Sequence, residues 1–173
     1  MDIRDQLLQE HSKANTSLIV KYIGADAQKL DELMNCFFSE MYRVSQRAAM
    51  AVSHCFDAHP VLMEPYKLQM IDLLEEQTLK IALKRNIVRI LQFMDVPESH
   101  EAQLFDRCLT YISDTKEAIA VKAFSMTVLL NICRKHPDLK IEVIPLIEES
   151  LKFSDSAGVQ NRGRKILKNI SEL

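Results

Sequence analysis

A chain of 173 residues, 47% hydrophobic and 27% charged, is long enough to bury one core and lies outside the composition of disordered chains. Three glycines, five prolines and no tryptophan, set against abundant Leu, Ile, Met, Ala, Glu, Lys and Gln, favour helices over a parallel α/β sheet. The formal net charge is −2, no run reaches the ~18 apolar residues of a membrane span, and the opening MDIRDQLLQEHSK lacks a signal-peptide core, so a soluble, cytoplasmic protein is expected.

The first expected element is a short helix, DIRDQLLQE, followed by SKANTSLIVKYI (12–23). Asp26 stands where an N-cap would open the next helix near Ala27, and QKLDELMNCFF (28–38) has the helical period. VSQRAAMAVSHC (44–55), PYKLQMIDLLEE (65–76), LKRNIVRILQFM (83–94), EAQLFDRCLTYI (101–112), VKAFSMTVLLNI (121–132), IEVIPLIEESL (141–151) and VQNRGRKILKNI (159–170) complete the series. His59-Pro60 and His136-Pro137 punctuate it, with Pro97 near the matching place. Proline stops a helix, and His near a C-terminus suits the helix dipole. Asp114-x-x-Glu117 reads as a capping box opening the helix of window 121–132.

Five of these segments, starting at 12, 44, 83, 121 and 159, superimpose without gaps. Window positions 8, 9 and 12 are always apolar or small: Ile19/Val20/Ile23, Ala51/Val52/Cys55, Ile90/Leu91/Met94, Val128/Leu129/Ile132 and Ile166/Leu167/Ile170. At about 100° per residue, positions 1, 5, 8, 9 and 12 share one stripe. Position 5 is small in four windows (Thr16, Ala48, Ser125, Gly163), which allows close helix approach. Between windows lies a second helix each time, so helix pairs recur with a period near 38 residues.

VSQRAAMAV, VKAFSMTVLL and VQNRGRKIL resemble the second-helix pattern of the HEAT/armadillo-like family, and the resemblance covers nearly the whole chain. It implies one all-α domain, residues 1–173, folded as a right-handed α-solenoid of about four and a half helix pairs. It also implies that the second helices line the concave surface. The N-terminal helix would cap one end. The last window, with Gly158, Gly163 and the tail SEL, would cap the other.

Charge is unevenly placed. The windows hold Lys13, Lys21, Arg47, Lys84, Arg85, Arg89, Lys122, Arg162, Arg164, Lys165 and Lys168, and none of the 24 acidic residues. Acid lies instead on the first helices and loops, as Asp31, Glu32, Asp72, Glu75, Glu76, Asp106, Glu148 and Glu149. A basic inner and acidic outer face is expected. Arg47 and Arg162, beside the apolar stripe, suit structural ion pairs with first helices. Lys21, Arg85, Arg89, Arg164, Lys165 and Lys168 point away from the stripe, either as a solvated surface or as contacts to an anionic ligand. Ala49, Met50, Val88, Met126 and Leu130 fall at outward positions. If exposed, they form an apolar strip suited to a protein or peptide partner. The alternative is that they pack against a neighbouring helix.

Catalytic signatures are missing: there is no HExxH, GxxxxGK[ST], GxGxxG or GxSxG. His11, His54, His59, His100 and His136 form no metal spacing, and His54 reads as a core-edge residue. Cys36, Cys55, Cys108 and Cys133 contain no CxxC and read as buried thiols. HEAT-like alkylpurine DNA glycosylases combine a basic face with aromatic residues and a catalytic Asp, but no window contains an acid. The fumarase/aspartase superfamily needs a far longer chain and a Met-Pro-x-Lys-x-Asn signature that is absent. The expected function is therefore a non-catalytic scaffold or adaptor holding a protein or peptide on its concave face, without cofactor, metal or membrane. Nucleic-acid binding through the same face is the alternative, and a small catalytic domain a minor one.

Overall fold

The computed structural model describes all residues, 1–173, as ten α-helices with no strand. They are α1 (Ile3–Gln9), α2 (Lys13–Ile23), α3 (Ala27–Phe37), α4 (Tyr42–Ala58), α5 (Lys67–Leu73), α6 (Ile81–Leu91), α7 (Glu98–Ser113), α8 (Ile119–Lys135), α9 (Lys140–Phe153) and α10 (Ala157–Ser171). Short 3₁₀ segments, Pro60–Tyr66 and Pro137–Leu139, follow α4 and α8. The five windows are the even-numbered helices.

Local chemistry sets the boundaries. Ser12 accepts from the Asn15 amide at 3.0 Å to open α2, and Gly24, with φ +52°, closes it by donating its N–H to the Val20 carbonyl. Asp26 accepts from the Gln28 and Lys29 amides, so it caps α3 as expected. Those amide bonds hold its carboxyl below the usual carboxylate range. His59 and His136 end α4 and α8, and each following proline begins a 3₁₀ segment. The capping box is a misreading. Asp114 ends α7, its Oδ1 accepting from the Lys116 amide, and α8 begins only at Ile119 with Ala118 before it. Glu117 is instead drawn to Lys84. The expected helix 65–76 is shorter too. Pro65 lies in the 3₁₀ segment, and α5 occupies only Lys67–Leu73.

Packing builds two layers. The second helices follow one another side by side in the order α2, α4, α6, α8, α10. Each packs also on the helix before it in sequence, α1 on α2 through α9 on α10. In the other layer α1 meets α3, α5 meets α7 and α7 meets α9, while the Tyr66 hydroxyl donates to Asp31 of α3. Apolar residues from Ile3 to Ile170 form one continuous buried cluster. Fully buried side chains such as Phe37, Leu33 and Ile87 each contribute about 1.5–3 kcal/mol. Close approach has a visible cost at Gly163, where an added Cβ would stand 2.6 Å from Leu151 Cδ2. All four cysteines are free and buried. No helix is long and apolar enough to cross a membrane.

The apolar strip fails the condition set for it. Ala49, Val88, Met126 and Leu130 are buried, and Met50 is half-buried. The stripe drawn from five window positions is too narrow for the central helices. Each of α4, α6 and α8 has a second helix on both sides, so positions 6 and 10 are also enclosed. On α2 and α10, which have one such neighbour, the same positions hold Ser17 and Lys21, and Arg164 and Lys168, all exposed.

Candidate partner-binding face

The exposed side of the second-helix layer follows from that register. Window position 7 runs along it as Leu18, Met50, Arg89, Thr127 and Lys165. Leu18 and Lys165 are exposed and the other three half-buried. Arg85 lies one turn before Arg89 and is exposed. Phe93, just past the end of α6, is 68% exposed while its ring stacks on that of Phe56, centroids 6.2 Å apart.

Several of the expected cations are committed to the fold. Arg89 grips both oxygens of Asp57 at 2.9 and 2.8 Å and donates to Ser53 Oγ at 2.7 Å, fastening α6 to α4. Arg47 donates to the Leu7 carbonyl at 2.7 Å, and Arg162 to Thr127 Oγ1 and to Gln92 Oε1 at 3.2 Å, with its guanidinium over the Phe124 ring. Both arginines face neutral acceptors, not carboxylates, so the expected ion pairs are neutral-acceptor hydrogen bonds.

The remaining cations do not form one patch. Arg85 and Lys165 share the exposed side. Arg164 and Lys168 occupy the flank of α10, where α8 buries Met126 and Leu130. Lys21 is on α2, separated from α10 by the three second helices α4, α6 and α8. Arg85, Lys165, Lys168 and Lys21 have no carboxylate partner, and Arg164 meets only Gln160 Oε1, at 3.1 Å.

Sequence reasoning missed Phe93, whose window position 11 is polar or aromatic from repeat to repeat and carries no fixed pattern. It also missed Asp57 and Asp95, which lie just past their windows. The acid-free reading of the second helices was partly an effect of cutting at twelve residues. His54 is exposed, its Nδ1 3.9 Å from Asp57, and not at a core edge. Asp31, Glu32, Asp72, Glu75, Glu76, Asp106, Glu148 and Glu149 are exposed, whereas Glu101 of α7 is buried. Glu75, just past the end of α5, pairs with Arg107 of α7 at 2.6 Å, and the same bond raises the Arg107 pKa.

A denser polar cluster closes the far ends of α7 and α8. Glu101, only 7% exposed, accepts from Lys135 Nζ at 2.7 Å and lies 2.6 Å from His136 Nε2. Lys135 also donates to the Val96 carbonyl at 2.9 Å and pairs with Asp95 at 2.5 Å. The hydrogen bond from Lys135, then that from His136, holds the Glu101 carboxyl below the usual range. The cluster ties the end of α8 to the start of α7 and to the α6–α7 connection, so it serves packing.

Ten helices in two layers, with second helices repeating in register, agree with what a comparison of the whole chain finds. A HEAT repeat domain matches residues 3–170. The chain belongs to the HEAT repeat family. No curated protein and no solved structure matches it. HEAT repeats are helical scaffolds that commonly serve protein interaction, and family membership accounts for the layered packing around α4, α6 and α8.

Proposed function

We propose that this HEAT repeat chain is a non-catalytic, cytoplasmic scaffold or adaptor that holds an acidic segment of a protein partner against its second-helix face. The reading takes the chain as one domain and a right-handed solenoid of about four and a half helix pairs, with that face concave. The observation that carries it is the pairing of cations free of carboxylates, Arg85 and Lys165, with exposed Phe93 and Leu18 on the same side. Cations beside apolar side chains suit a polypeptide with acidic and apolar residues better than a bare phosphate chain. The groups with shifted pKa support a non-catalytic reading, because they are buried thiols, the buried Tyr111, Tyr66 bonded to Asp31, and hydrogen-bonded side chains of a helix cap and of ion pairs within the fold.

A second reading, binding to the nucleic-acid backbone, is favoured by α10 alone. That helix carries Arg162, Arg164, Lys165 and Lys168 and no acid. Salt-titrated binding of the purified chain to single- and double-stranded DNA and RNA, and in parallel to a poly-glutamate peptide containing phenylalanine, separates the two. Arg85→Glu/Lys165→Glu is the control variant. Micromolar peptide binding, lost in the variant, with no nucleic-acid binding at low salt, supports the scaffold. Tight nucleic-acid binding with a steep salt slope would replace it.

A further inference from the structure

The repeat contains an internal comparison at the edge formed by the loops inside each helix pair. Near the start of α6, Lys84 reaches the loop between α7 and α8, where its Nζ meets Glu117 Oε2 at 2.6 Å and lies 5.0 Å over the Tyr111 ring. Both side chains are largely enclosed, 16% and 4% exposed. One repeat later the register places Lys122 of α8 where Lys84 stands, and Asp155 where Glu117 stands. There the pairing is not made. Lys122 is half-buried and has no carboxylate partner, and Asp155 is exposed.

Around Lys122 the unfilled space is a groove of about 360 Å³ between the α7–α8 and α9–α10 loops. Leu146 and Ser150 of α9 line it. Two large apolar side chains stand at its margin, Ile119 at 55% exposed and Phe153 at 77%. Ile119 is also the last of a row. Tyr42, Ile81 and Ile119 are the first residues of α4, α6 and α8, and all three are exposed. A smaller groove of about 170 Å³ opens beside Tyr42 and Lys80 earlier along the same edge. Between the two, at Lys84, the chain's own Glu117 has taken the lysine.

We propose that the Lys122 groove docks a short segment of another protein in which a carboxylate side chain flanks a large apolar one. The carboxylate takes the place on Lys122 that Glu117 takes on Lys84, and the apolar side chain covers Ile119 and Phe153. Charge complementarity selects this occupant. A half-buried ammonium gains more from a carboxylate brought in with apolar cover than an exposed one would. Two acids line the groove: Glu117 is already held by Lys84, while Glu149 is exposed and engages no cation, so Glu149 and Asp155 are the internal competitors. This edge is separate from the second-helix face, and neither proposal depends on the other.

The test is selection of random heptapeptides displayed on phage against the 173-residue chain. Synthetic copies of the enriched peptides are then titrated against Ile119→Asp, Lys122→Glu, the milder Lys122→Ala and Arg85→Glu/Lys165→Glu. All four positions are exposed or half-buried, and circular dichroism and thermal melts verify folding. The expected peptides carry Asp or Glu within two residues of Phe, Leu, Ile or Met. Their binding should fall at least tenfold in Ile119→Asp and Lys122→Glu, and less than twofold in Arg85→Glu/Lys165→Glu. It should fall several-fold when the peptide acid becomes its amide. Peptides that bind the edge variants as well as the wild type, or that need no acid, overturn the proposal. So does a selection that enriches nothing, the result expected if Asp155 or Glu149 fills the groove in solution. Self-association abolished by Ile119→Asp, without selected peptides, would assign the groove to a second copy and overturn it as well.

Discussion

Arg89 holds Asp57 through a single guanidinium nitrogen, Nη2, which donates to both carboxylate oxygens at 2.9 and 2.8 Å across neighbouring second helices. Arg85, one turn earlier on the same helix, holds no carboxylate. The two arginines were equivalent in the sequence and are not in the fold.

Arg89→Ala should therefore lower stability by about 0.5–1 kcal/mol, the upper range for a partly exposed pair, with Ser53 losing its partner too. Arg85→Ala should change stability by less than about 0.5 kcal/mol. Urea melts of both variants check the difference. A similar loss in both would mean that Arg85 also supports the fold.

Acid should act through Glu101. Its folded pKa is depressed by Lys135 and His136, so its contribution is full above the unfolded value of about 4.5 and is lost as pH falls below it through the folded pKa. Glu101→Gln should cost about 1–3 kcal/mol at neutral pH, where hydrogen bonds to a charged acceptor are lost. It should also flatten the decline of melting temperature below about pH 4.5. An unchanged acid limb in the variant would assign acid lability elsewhere.

The thiols should be silent in the native state. Burial pushes Cys55 and Cys108 up to about 12 and Cys133 up to about 11, and raises Cys36. At pH 8 the first three are then thiolate at no more than roughly one part in a thousand. Ellman's reagent should titrate none quickly in buffer and four in guanidinium. Rapid native reaction of one thiol would show that its helix opens locally.

Gly163→Ala sets two effects against each other. Alanine gains about 1 kcal/mol of helix propensity, while overpacking costs about 1–3 kcal/mol. The new Cβ would lie 2.6 Å from Leu151 Cδ2 and 3.2 Å from its Cγ, so the whole leucine must move. A net loss of about 1 kcal/mol is expected, and Leu151→Ala should be less costly in the Gly163→Ala background than alone. Additive losses would show that the leucine moves freely.

The repeat was legible because the stripe at positions 8, 9 and 12 faces the same buried side in every helix pair, at the ends and in the middle alike. Caps made by adjacent residues were also legible, as Asp26 shows. What the periodicity could not reveal was lateral packing. Met126 and Arg164 share a window position, yet one is enclosed and the other exposed, because α8 has a neighbour on each side and α10 on one. Partner choice among charges was hidden for a related reason. Whether Arg47 would meet a carboxylate or the Leu7 carbonyl depends on a contact 40 residues away that no local pattern encodes. Asp114 and Glu117 had capping-box spacing, but Lys84, 33 residues upstream, claims the glutamate.

Arg162 reaches past its immediate neighbour. From α10 it bonds Thr127 on α8 and Gln92 at the end of α6, a residue 70 positions upstream. An array whose units touch only adjacent units frays from the end one unit at a time. Here the loss of the last helix is felt two helices inward, so mechanical peeling from that end should release α10 together with its grip on α6 in a single larger step.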